Sequence, residues 1–412
     1  MNFDIPHIIN YFHMKKNVLS NILFFFFLFL VSCAGEKQVV NNVYPILDLD
    51  QAIPVDSIKF SDIFDSAKII TFDKSSQALI GDVNRVEIVD DYIFVLDRNI
   101  AKTVFTFDDQ GRFLRKIGAV GQGKGEYTSP FDFTLDKEKK HIFILDRQQK
   151  KVHKYDYSTG KHLSSINIPK FSTNILYYKD VLYMDYPESH SNKTDFIIRR
   201  SDVINGKELD LLFSPDIHNK GWKSTLANSD GIFFSRTTDF PVLTHLFMDT
   251  VYSIGQNGVS PYLVIHSESM MEKEDIANLN LDRDPMGLIQ LMKKNKYYNL
   301  QTYIENNDFI FFQLQKGAMP CPFYYDKKQN ETLQGKLFIE DILFNNLDFK
   351  LIQLRFGGSN SKGVFFYLTP ERLSEFNKLK GIKENSGFKD AFELGNREDI
   401  FNGAIFYYEY KN

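Results

Sequence analysis

The 412-residue sequence contains only two cysteines, Cys33 and Cys321, and one tryptophan. Two thiols allow at most one disulfide, and they cannot supply a four-cysteine zinc site or a Cys-x-x-Cys redox pair. None of the nine histidines falls in an H-x-H, H-x-x-x-H or H-E-x-x-H pattern. The nucleophile motif G-x-S-x-G and the calcium loop D-x-D-x-D-G are also missing. From motifs we therefore predict no catalytic residue, no metal ligand and no cofactor.

The sequence also lacks an excess of charge of either sign. Its 49 basic and 53 acidic side chains give a formal net charge of −4, so nothing in the balance favours nucleic acid as a partner. Aromatic residues, in contrast, are abundant at 15%, with 39 Phe and 21 Tyr. Because such broad, stiff side chains pack well on pleated sheets, the composition indicates a β-rich protein.

Residues 1–33 have the pattern of a bacterial lipoprotein signal peptide. The letters "MKK" at 14–16 give a basic start, and ten apolar residues follow at 22–31. Ten is about half of the roughly 20 residues that cross a bilayer as a helix, which favours a signal sequence over a membrane anchor. The run ends in "LVSC", which matches a lipobox and predicts that Cys33 is lipidated. A plain secretory signal that happens to contain a cysteine is the alternative.

The signal peptide sets the expected location and the domain limits. Residues 1–13 contain no Lys or Arg, so we expect Met14 to be the true start. Residues 34–45 would form a short tether and residues 46–412 the folded domain. Several acyl chains on Cys33 would hold the protein stably in the outer membrane, on the periplasmic face or on the cell surface.

From about residue 81 the sequence repeats itself. The stretch 86–118 resembles 133–167, and the Asp-Arg pair at 97–98 corresponds to the pair at 146–147. Each unit reads as a strand ending in Leu-Asp, a turn, a strand ending in aromatic-Asp, a turn with Gly, and a third strand. Weaker copies and single strands follow at 178–213, 230–265, 307–338, 362–368 and 403–411. A period of 40 to 50 residues with three or four short strands is typical of a β-propeller.

Two stretches near 267–298 and 369–396 have helical patterns and interrupt the repeat. Without them, the remaining length fits either six or seven blades. The N-terminal stretch 41–80 contains strands but no complete repeat. We expect it to complete the blade that the C-terminal strands begin, which would close the ring.

The sequence resembles the six-bladed β-propeller lipoproteins of Gram-negative gut-type bacteria, whose blades are similar to NHL repeats. The resemblance is carried by 79–97, 111–127, 131–146 and 248–254. In such relatives one loop usually reads Gly-Gln-Gly-Pro-Gly-Glu-Tyr, and Lys124 stands here in place of the proline. The resemblance implies an all-β fold with six blades and short helical insertions. It implies little about activity, since most members have none assigned.

The stretch "GAVGQGKG" at 118–125 lies one residue short of a phosphate-binding loop. Gly125 replaces the Ser or Thr that would bind Mg²⁺, and a strand rather than a helix follows through Pro130. We therefore interpret the stretch as a connection between blades. The exposed loop face of a propeller is a natural place for a ligand, and we predict ligand contacts from Gln122, Lys124, Glu126 and Tyr127.

Three recurrent aspartates, Asp97, Asp146 and Asp185, end strands before turns. Such residues can bond to the backbone of their own turns, and acids at a propeller channel can also bind Ca²⁺ or transfer protons. We favour the turn role. We expect structural or surface roles for His141, His153 and His162.

The sequence favours a membrane-tethered propeller that binds or scaffolds, with a glycan, a peptide or another envelope protein as its partner. The competing interpretation is a propeller hydrolase, lyase or lactonase that uses channel-mouth acids and a divalent metal. A purely structural subunit of an envelope complex is a third possibility.

Overall fold

The structure is a computed structural model, and the residues that it describes belong to one unit, Tyr44–Asn412. The described residues are 44–73, 77–169, 171–185, 198–213, 233–234, 240–244, 248–255, 257–276, 285–376, 378–379 and 402–411. The predicted signal peptide, Cys33 and most of the predicted tether lie outside them.

The described residues are mainly β-structure. The first strands along the chain are β1 (Ile46–Asp48), β2 (Ile53–Lys59), β3 (Phe64–Thr71), β4 (Arg85–Val89), β5 (Tyr92–Asp97), β6 (Thr103–Asp108), β7 (Phe113–Ile117), β8 (Pro130–Asp136) and β9 (His141–Asp146). Next are β10 (Lys151–Asp156), β11 (His162–Asn167), β12 (Ile175–Tyr178), β13 (Val181–Asp185), β14 (Ile198–Asp202), β15 (Glu208–Leu212), β16 (Phe233–Phe234), β17 (Val242–Leu243) and β18 (Thr250–Gly255). The last are β19 (Gly258–His266), β20 (Tyr297–Glu305), β21 (Phe309–Lys316), β22 (Met319–Asp326), β23 (Glu331–Glu340), β24 (Leu347–Asp348), β25 (Arg355–Ser359), β26 (Gly363–Leu368) and β27 (Ala404–Tyr410).

Helices are short in the part of the chain that the structure describes. They are α1 (Phe60–Ile63), α2 (Lys273–Ile276), α3 (Pro285–Lys293), α4 (Phe349–Ile352) and α5 (Leu373–Phe376), with single 3₁₀ turns at Leu49–Gln51 and Pro370–Arg372. The helical pattern near 267–298 thus gives α2 and α3, and its end is already strand β20. The start of the 369–396 pattern gives a 3₁₀ turn and α5, and residues 380–396 lie outside the described residues.

The strands assemble into six sheets, which we number in chain order. Sheet 1 is β4–β7, sheet 2 is β8–β11, sheet 3 is β12–β15, sheet 4 is β16–β19 with β1, sheet 5 is β20–β23 with β2 and β24, and sheet 6 is β25–β27 with β3. Consecutive strands of a sheet are antiparallel neighbours, as in the hairpins that the repeats predict. Sheet 4 is described only in part, because residues 214–232, 235–239 and 245–247 lie outside the described residues.

Buried apolar clusters join each sheet to the next and sheet 6 to sheet 1. The second strands, such as "YIFVLD" in β5, are rich in β-branched and aromatic residues and are buried on both faces. Ring pairs that cross these boundaries include Phe94–Phe133, Phe143–Tyr177, Phe309–Tyr410 and Phe72–Phe107. Because the series of contacts returns to its start, the sheets form a ring, and the prediction of a β-propeller is confirmed in the form of a mainly-β propeller.

The N-terminal segment adds strands to the edges of sheets 4, 5 and 6. β1 pairs in parallel with β19, and β2 pairs in parallel with β23. β3 pairs antiparallel with β27, so that Thr71 lies opposite Ala404. One continuous N-terminal stretch therefore links sheets 4, 5 and 6, whose other strands come last along the chain.

The two faces of the ring differ in their connections. The first strand of each sheet lies nearest the ring axis, where β8 contacts β12 and β25 contacts β4. Connections from the first strand to the second, and from the third to the fourth, are short turns; we call this side the turn face. Connections from the second strand to the third, and from one sheet to the next, lie on the opposite side, which we call the loop face. Among the described residues, the loop face carries the whole of the long connections 118–129 and 341–354, and parts of the connections that enter sheets 1 and 5 and of the one that follows β26.

Candidate functional site

The three recurrent aspartates lie on the loop face, and their carboxylates bind backbone N–H groups. Asp97 is fully buried and accepts the N–H groups of Gly81 and Asp82 at 2.7 and 3.0 Å and that of Ile100 at 2.9 Å. The first two donors belong to the connection that enters sheet 1, and the third belongs to the turn after β5. Asp97 therefore joins two loops of its own sheet.

Asp146 and Asp185 repeat this arrangement in sheets 2 and 3. Asp146 accepts the N–H of Thr128 at 2.6 Å, and Asp185 accepts the N–H of Thr173 at 2.6 Å. Asp146 also accepts two N–H groups from the turn that follows it. The interpretation of these residues as turn aspartates is confirmed for Asp97 and Asp146, and each also holds the preceding connection between sheets. Their oxygens are thus occupied by structural hydrogen bonds.

The "GAVGQGKG" stretch connects β7 to β8, as expected for a link between sheets. Gly118 and Gly125 have positive φ angles of 71° and 77°, and a Cβ at Gly118 would lie 2.6 Å from the ring of Tyr127. The two ends of the loop pair through the N–H groups of Gly121 and Tyr127. Strand β8 follows it, so the segment lacks the helix that a phosphate loop needs.

Of the four predicted contact residues, Tyr127 is fully buried. Its hydroxyl donates to the carbonyl of Ile117 at 2.6 Å and lies 2.8 Å from the Thr103 hydroxyl. Burial raises the pKa of Tyr127 to about 12. In this structure Tyr127 is therefore a packing residue of the interface between sheets 1 and 2.

The other three predicted residues shape the loop or project from it. Glu126 accepts the N–H of Gly123 at 2.8 Å, which closes a small turn. Gln122 and Lys124 are exposed. The role of Gln122, Lys124 and Glu126 in ligand binding stays a prediction. Of the three, Gln122 and Lys124 have side chains that a ligand could reach directly.

Beside this loop, cationic and aromatic side chains alternate across sheets 1, 2 and 3. The Arg98 guanidinium lies 3.9 Å from the centroid of the Phe131 ring, and Arg147 lies 4.9 Å from the same centroid. Arg147 also lies 5.9 Å from the ring of Phe171, and the Lys150 ammonium lies 4.4 Å from it. We call Arg98, Phe131, Arg147, Phe171 and Lys150 the cation–aromatic ladder.

The elements that position the ladder are those held by the aspartates. Arg98 directly follows Asp97, and its backbone N–H donates to the side-chain oxygen of Asn84 at 2.6 Å. Arg147 directly follows Asp146, and its N–H donates to the carbonyl of Ser129 at 3.1 Å. Hydrogen bonds therefore hold the backbone that carries both arginines of the ladder on the loop face.

Toward the axis, an ion-pair group connects the first strands of sheets 1, 2 and 3. Arg85 contacts Glu87 and Asp132, each at 2.7 Å. Asp132 also accepts the N–H of Ile175 at 2.8 Å. Burial raises the pKa of the Asp132 carboxyl, against the attraction of Arg85. These charges form ion pairs with one another, whereas the ladder cations form none among the described residues.

The side chains of His153 and His162 in sheet 2 make hydrogen-bond contacts within the fold. His153 is buried, and its Nδ1 lies 2.8 Å from the Ser165 hydroxyl. His162 shares that hydroxyl at 2.9 Å. Burial lowers the pKa of His153 to about 4, so its imidazole is neutral at pH 7. His141 is half-buried, and burial lowers its pKa as well.

Two other polar features lie away from the ladder. Asp48, Asp50 and His266 place potential metal ligands within 4.8 Å of one another where β1 meets β19. The Asp50 oxygens, however, accept the Ser267 hydroxyl and the Glu268 N–H. On the turn face, a groove of about 420 Å³ is lined by Asp65, Asn306, Asp308, Lys362 and Glu409 among others.

The ladder was missed by the sequence analysis, although a signal was available. The Asp-Arg pairs at 97–98 and 146–147 recur at corresponding positions, and only their aspartates were interpreted. The aromatic partner Phe131 lies at the start of strand β8, and Phe171 lies in the connection between β11 and β12. Their proximity to the arginines depends on the packing of neighbouring sheets, which no local pattern reports.

The fold and this loop face define the class: a mainly-β protein of the β-propeller type. The chain belongs to the family described as "Domain of unknown function (DUF4934)", whose model matches residues 44–396. No curated protein matches the chain.

Solved structures share the fold. The chain is similar to a predicted exported protein of Bacteroides fragilis, at 17% identity and a TM-score of 0.69, over 89% of this chain and 100% of that one. It is also similar to a member of the DUF4221 family from Bacteroides vulgatus, at 10% identity and a TM-score of 0.47, over 85% and 98% of the two chains. Among the described residues, no helix is long and apolar enough to cross a membrane.

Proposed function

We propose that this protein is a six-bladed β-propeller lipoprotein of the cell envelope that binds a ligand on its loop face. Residues 1–33 would be its signal peptide, Cys33 its lipid-bearing residue, 34–45 its tether and 46–412 its propeller. Six sheets joined by six buried clusters support the blade number. The predicted exported protein of Bacteroides fragilis, which shares the fold, supports export.

The observation that carries the proposal is the asymmetry between the two faces. On the turn face, neighbouring strands within sheets 1 to 3 are joined by turns such as 90–91, 109–112 and 179–180, whereas the loop face carries the longer segments 118–129 and 341–354. Short turns suffice to hold a propeller together, so long, well-anchored loops on one side indicate recognition there.

The tether limits where the loop face can act. Residues 34–43 can span at most about 35 Å when fully extended. The chain enters the fold at β1, on the edge of sheet 4. The propeller would therefore stay close to the membrane and meet ligands at the outer-membrane surface.

The competing enzyme hypothesis has less support from the geometry. Asp97 and Asp146 accept three backbone N–H groups each, which leaves few oxygen lone pairs for a divalent ion. Metal analysis of the purified protein tests this point. Stoichiometric Ca²⁺ or Zn²⁺ that is lost in Asp97→Ala without unfolding would favour the enzyme.

Lipidation can be tested with a matched pair of cysteine variants. Cells that express the wild type, Cys33→Ser or Cys321→Ser are labelled with a palmitate analogue and fractionated. We expect label and membrane association in the wild type and in Cys321→Ser, and neither in Cys33→Ser. Equal labelling of all three proteins would contradict the proposal.

The binding role can be tested by probing glycan and peptide arrays with the detergent-solubilised protein. We expect bound ligands to be lost on substitution of exposed loop-face residues and retained on substitution of exposed turn-face residues. An absence of any ligand, or loss only from the turn face, would overturn the binding role.

A further inference from the structure

We infer that the cation–aromatic ladder is an anion-binding site, and that its ligand is an acidic oligosaccharide with several carboxylate groups. This rests on the proposed function, because it identifies the ligand class of the loop face. The five ladder residues come from sheet 1, sheet 2 and the connection from sheet 2 to sheet 3, so the site exists only when these neighbouring sheets pack.

The first argument is charge balance. Arg98, Arg147 and Lys150 make no ion pair with a carboxylate among the described residues, whereas Arg85 nearby contacts two. The Nε of Arg98 is buried and has no hydrogen-bond partner in the described part of the chain. The whole chain is close to charge balance, with a net charge of −4, so three neighbouring cations without an ion pair among the described residues are a local feature. A bound anion would relieve their mutual repulsion.

The second argument is that the cations are already fixed in place. The guanidinium groups of Arg98 and Arg147 both lie over the ring of Phe131, at 3.9 and 4.9 Å from its centroid. Stacking uses the flat face of a guanidinium and leaves its N–H edge free for a carboxylate, which it can bind with two hydrogen bonds. Because these ring contacts already restrict the side chains, less conformational entropy would be lost when the ligand arrives.

The third argument concerns the rest of the ligand. Phe131 and Phe171 are covered by cations, so the ladder offers no apolar pocket for a peptide side chain. Its loops instead present exposed amide side chains, Gln148 beside Arg147 and Gln122 in the adjoining connection. An amide can both donate to and accept from a hydroxyl group. Carboxylates and hydroxyls together are the chemistry of a uronic-acid chain.

The test uses tetragalacturonate as the probe and its methyl ester as the uncharged counterpart, with the detergent-solubilised full chain. The variants are Arg147→Gln and Lys150→Gln, both exposed. Lys137→Gln removes the same charge from an exposed residue on the turn face and serves as the control.

We expect the wild type and Lys137→Gln to bind tetragalacturonate equally, and each ladder variant to bind it at least about tenfold more weakly. Binding should weaken as salt is raised from about 0.05 to 0.5 M, because the Debye length shortens. The methyl ester should bind far more weakly than the acid.

Three results would overturn the inference: no binding of tetragalacturonate, equal binding of the ester, or ladder variants that behave like Lys137→Gln. A hexaglutamate peptide that binds as tightly as tetragalacturonate would overturn the assignment of the ligand as an oligosaccharide. If array ligands depend on other loop-face residues while the ladder variants have no effect, the proposed function survives and only this inference fails.

Discussion

The carboxylate of Asp146 accepts the backbone N–H of Thr128 at 2.6 Å, although 18 residues separate the two along the chain. It also accepts the N–H groups of Gln148 and Gln149. One buried side chain therefore holds both the entry to sheet 2 and the turn that carries Arg147.

Asp146→Ala should lower the free energy of unfolding by about 3 kcal/mol, since it leaves several backbone N–H groups without their charged acceptor. Chemical denaturation of the purified protein measures this. The matched control is Asp202→Ala on the turn face, where the carboxylate accepts only the N–H groups of Ile204 and Asn205 within its own turn. We expect a cost of about 1 kcal/mol there. Equal losses in the two variants would contradict the joining role of Asp146.

Tyr127→Phe should destabilise the fold by about 1 to 2 kcal/mol, because it leaves the Ile117 carbonyl and the Thr103 hydroxyl without their partner. Tyr157 offers a control in the same cluster. Its buried hydroxyl has no hydrogen-bond partner among the described residues, so Tyr157→Phe should be neutral or slightly stabilising. Thermal and chemical unfolding compare the two variants, and a larger loss for Tyr157→Phe would refute this assignment.

Acid should destabilise the protein through His153. Its pKa is lowered from 6.5 to about 4 by burial, so below pH 6.5 the unfolded chain binds a proton that the folded chain excludes. The contribution is fully present above pH 6.5 and is lost as the pH falls toward 4, by about 2 kcal/mol at pH 5.

The pH dependence can be isolated with His153→Gln, which cannot take up a proton. The difference in unfolding free energy between pH 7 and pH 5 should be smaller in this variant than in the wild type by about the same 2 kcal/mol. His162→Gln, at a half-exposed position that shares Ser165, is the comparison. An unchanged pH dependence in His153→Gln would show that other groups cause it.

Lys124→Pro restores the residue that similar lipoproteins have in this loop, and we expect it to be tolerated. Gly125, not Lys124, has the positive φ of this turn. A proline here should raise the free energy of unfolding by up to about 1 kcal/mol by restricting the unfolded chain. Lys124→Ala removes the same charge without that restriction and should leave stability unchanged. A destabilised proline variant would show that the loop needs its present backbone geometry.

The repeated parts of the fold could be predicted from the sequence because each sheet repeats a local pattern. Strands such as β5 and β9 share the letters "FVLD" and "FILD" closely enough to align. The turns between the third and fourth strands of sheets 1 and 2 carry glycine at positive φ, at Gly111 and Gly160. These features depend on neighbours a few residues away, which a single sequence displays directly.

The strands that the N-terminal segment adds could be predicted only in part. The stretch that contains β3 was expected beside the C-terminal strands, but the parallel pairing of β1 and β2 was not foreseen. A parallel edge strand has no turn that connects it to its partner, and its partner lies far along the chain. The ladder was missed for the same reason, since Phe131 meets Arg98 only when two sheets pack.

The pairing of β1, β2 and β3 also fixes an order of events during synthesis. Ile46 pairs with Val264, Ile53 with Leu333 and Thr71 with Ala404. Each of these early strands can therefore pair only after a much later part of the chain has been synthesised. Until then their edges are unpaired, which is the state in which strands associate with other chains. Pairings this distant in sequence also slow folding. The ring therefore closes only when β27 pairs with β3, and β1, β2 and β3 are the strands whose edges need protection for longest before that.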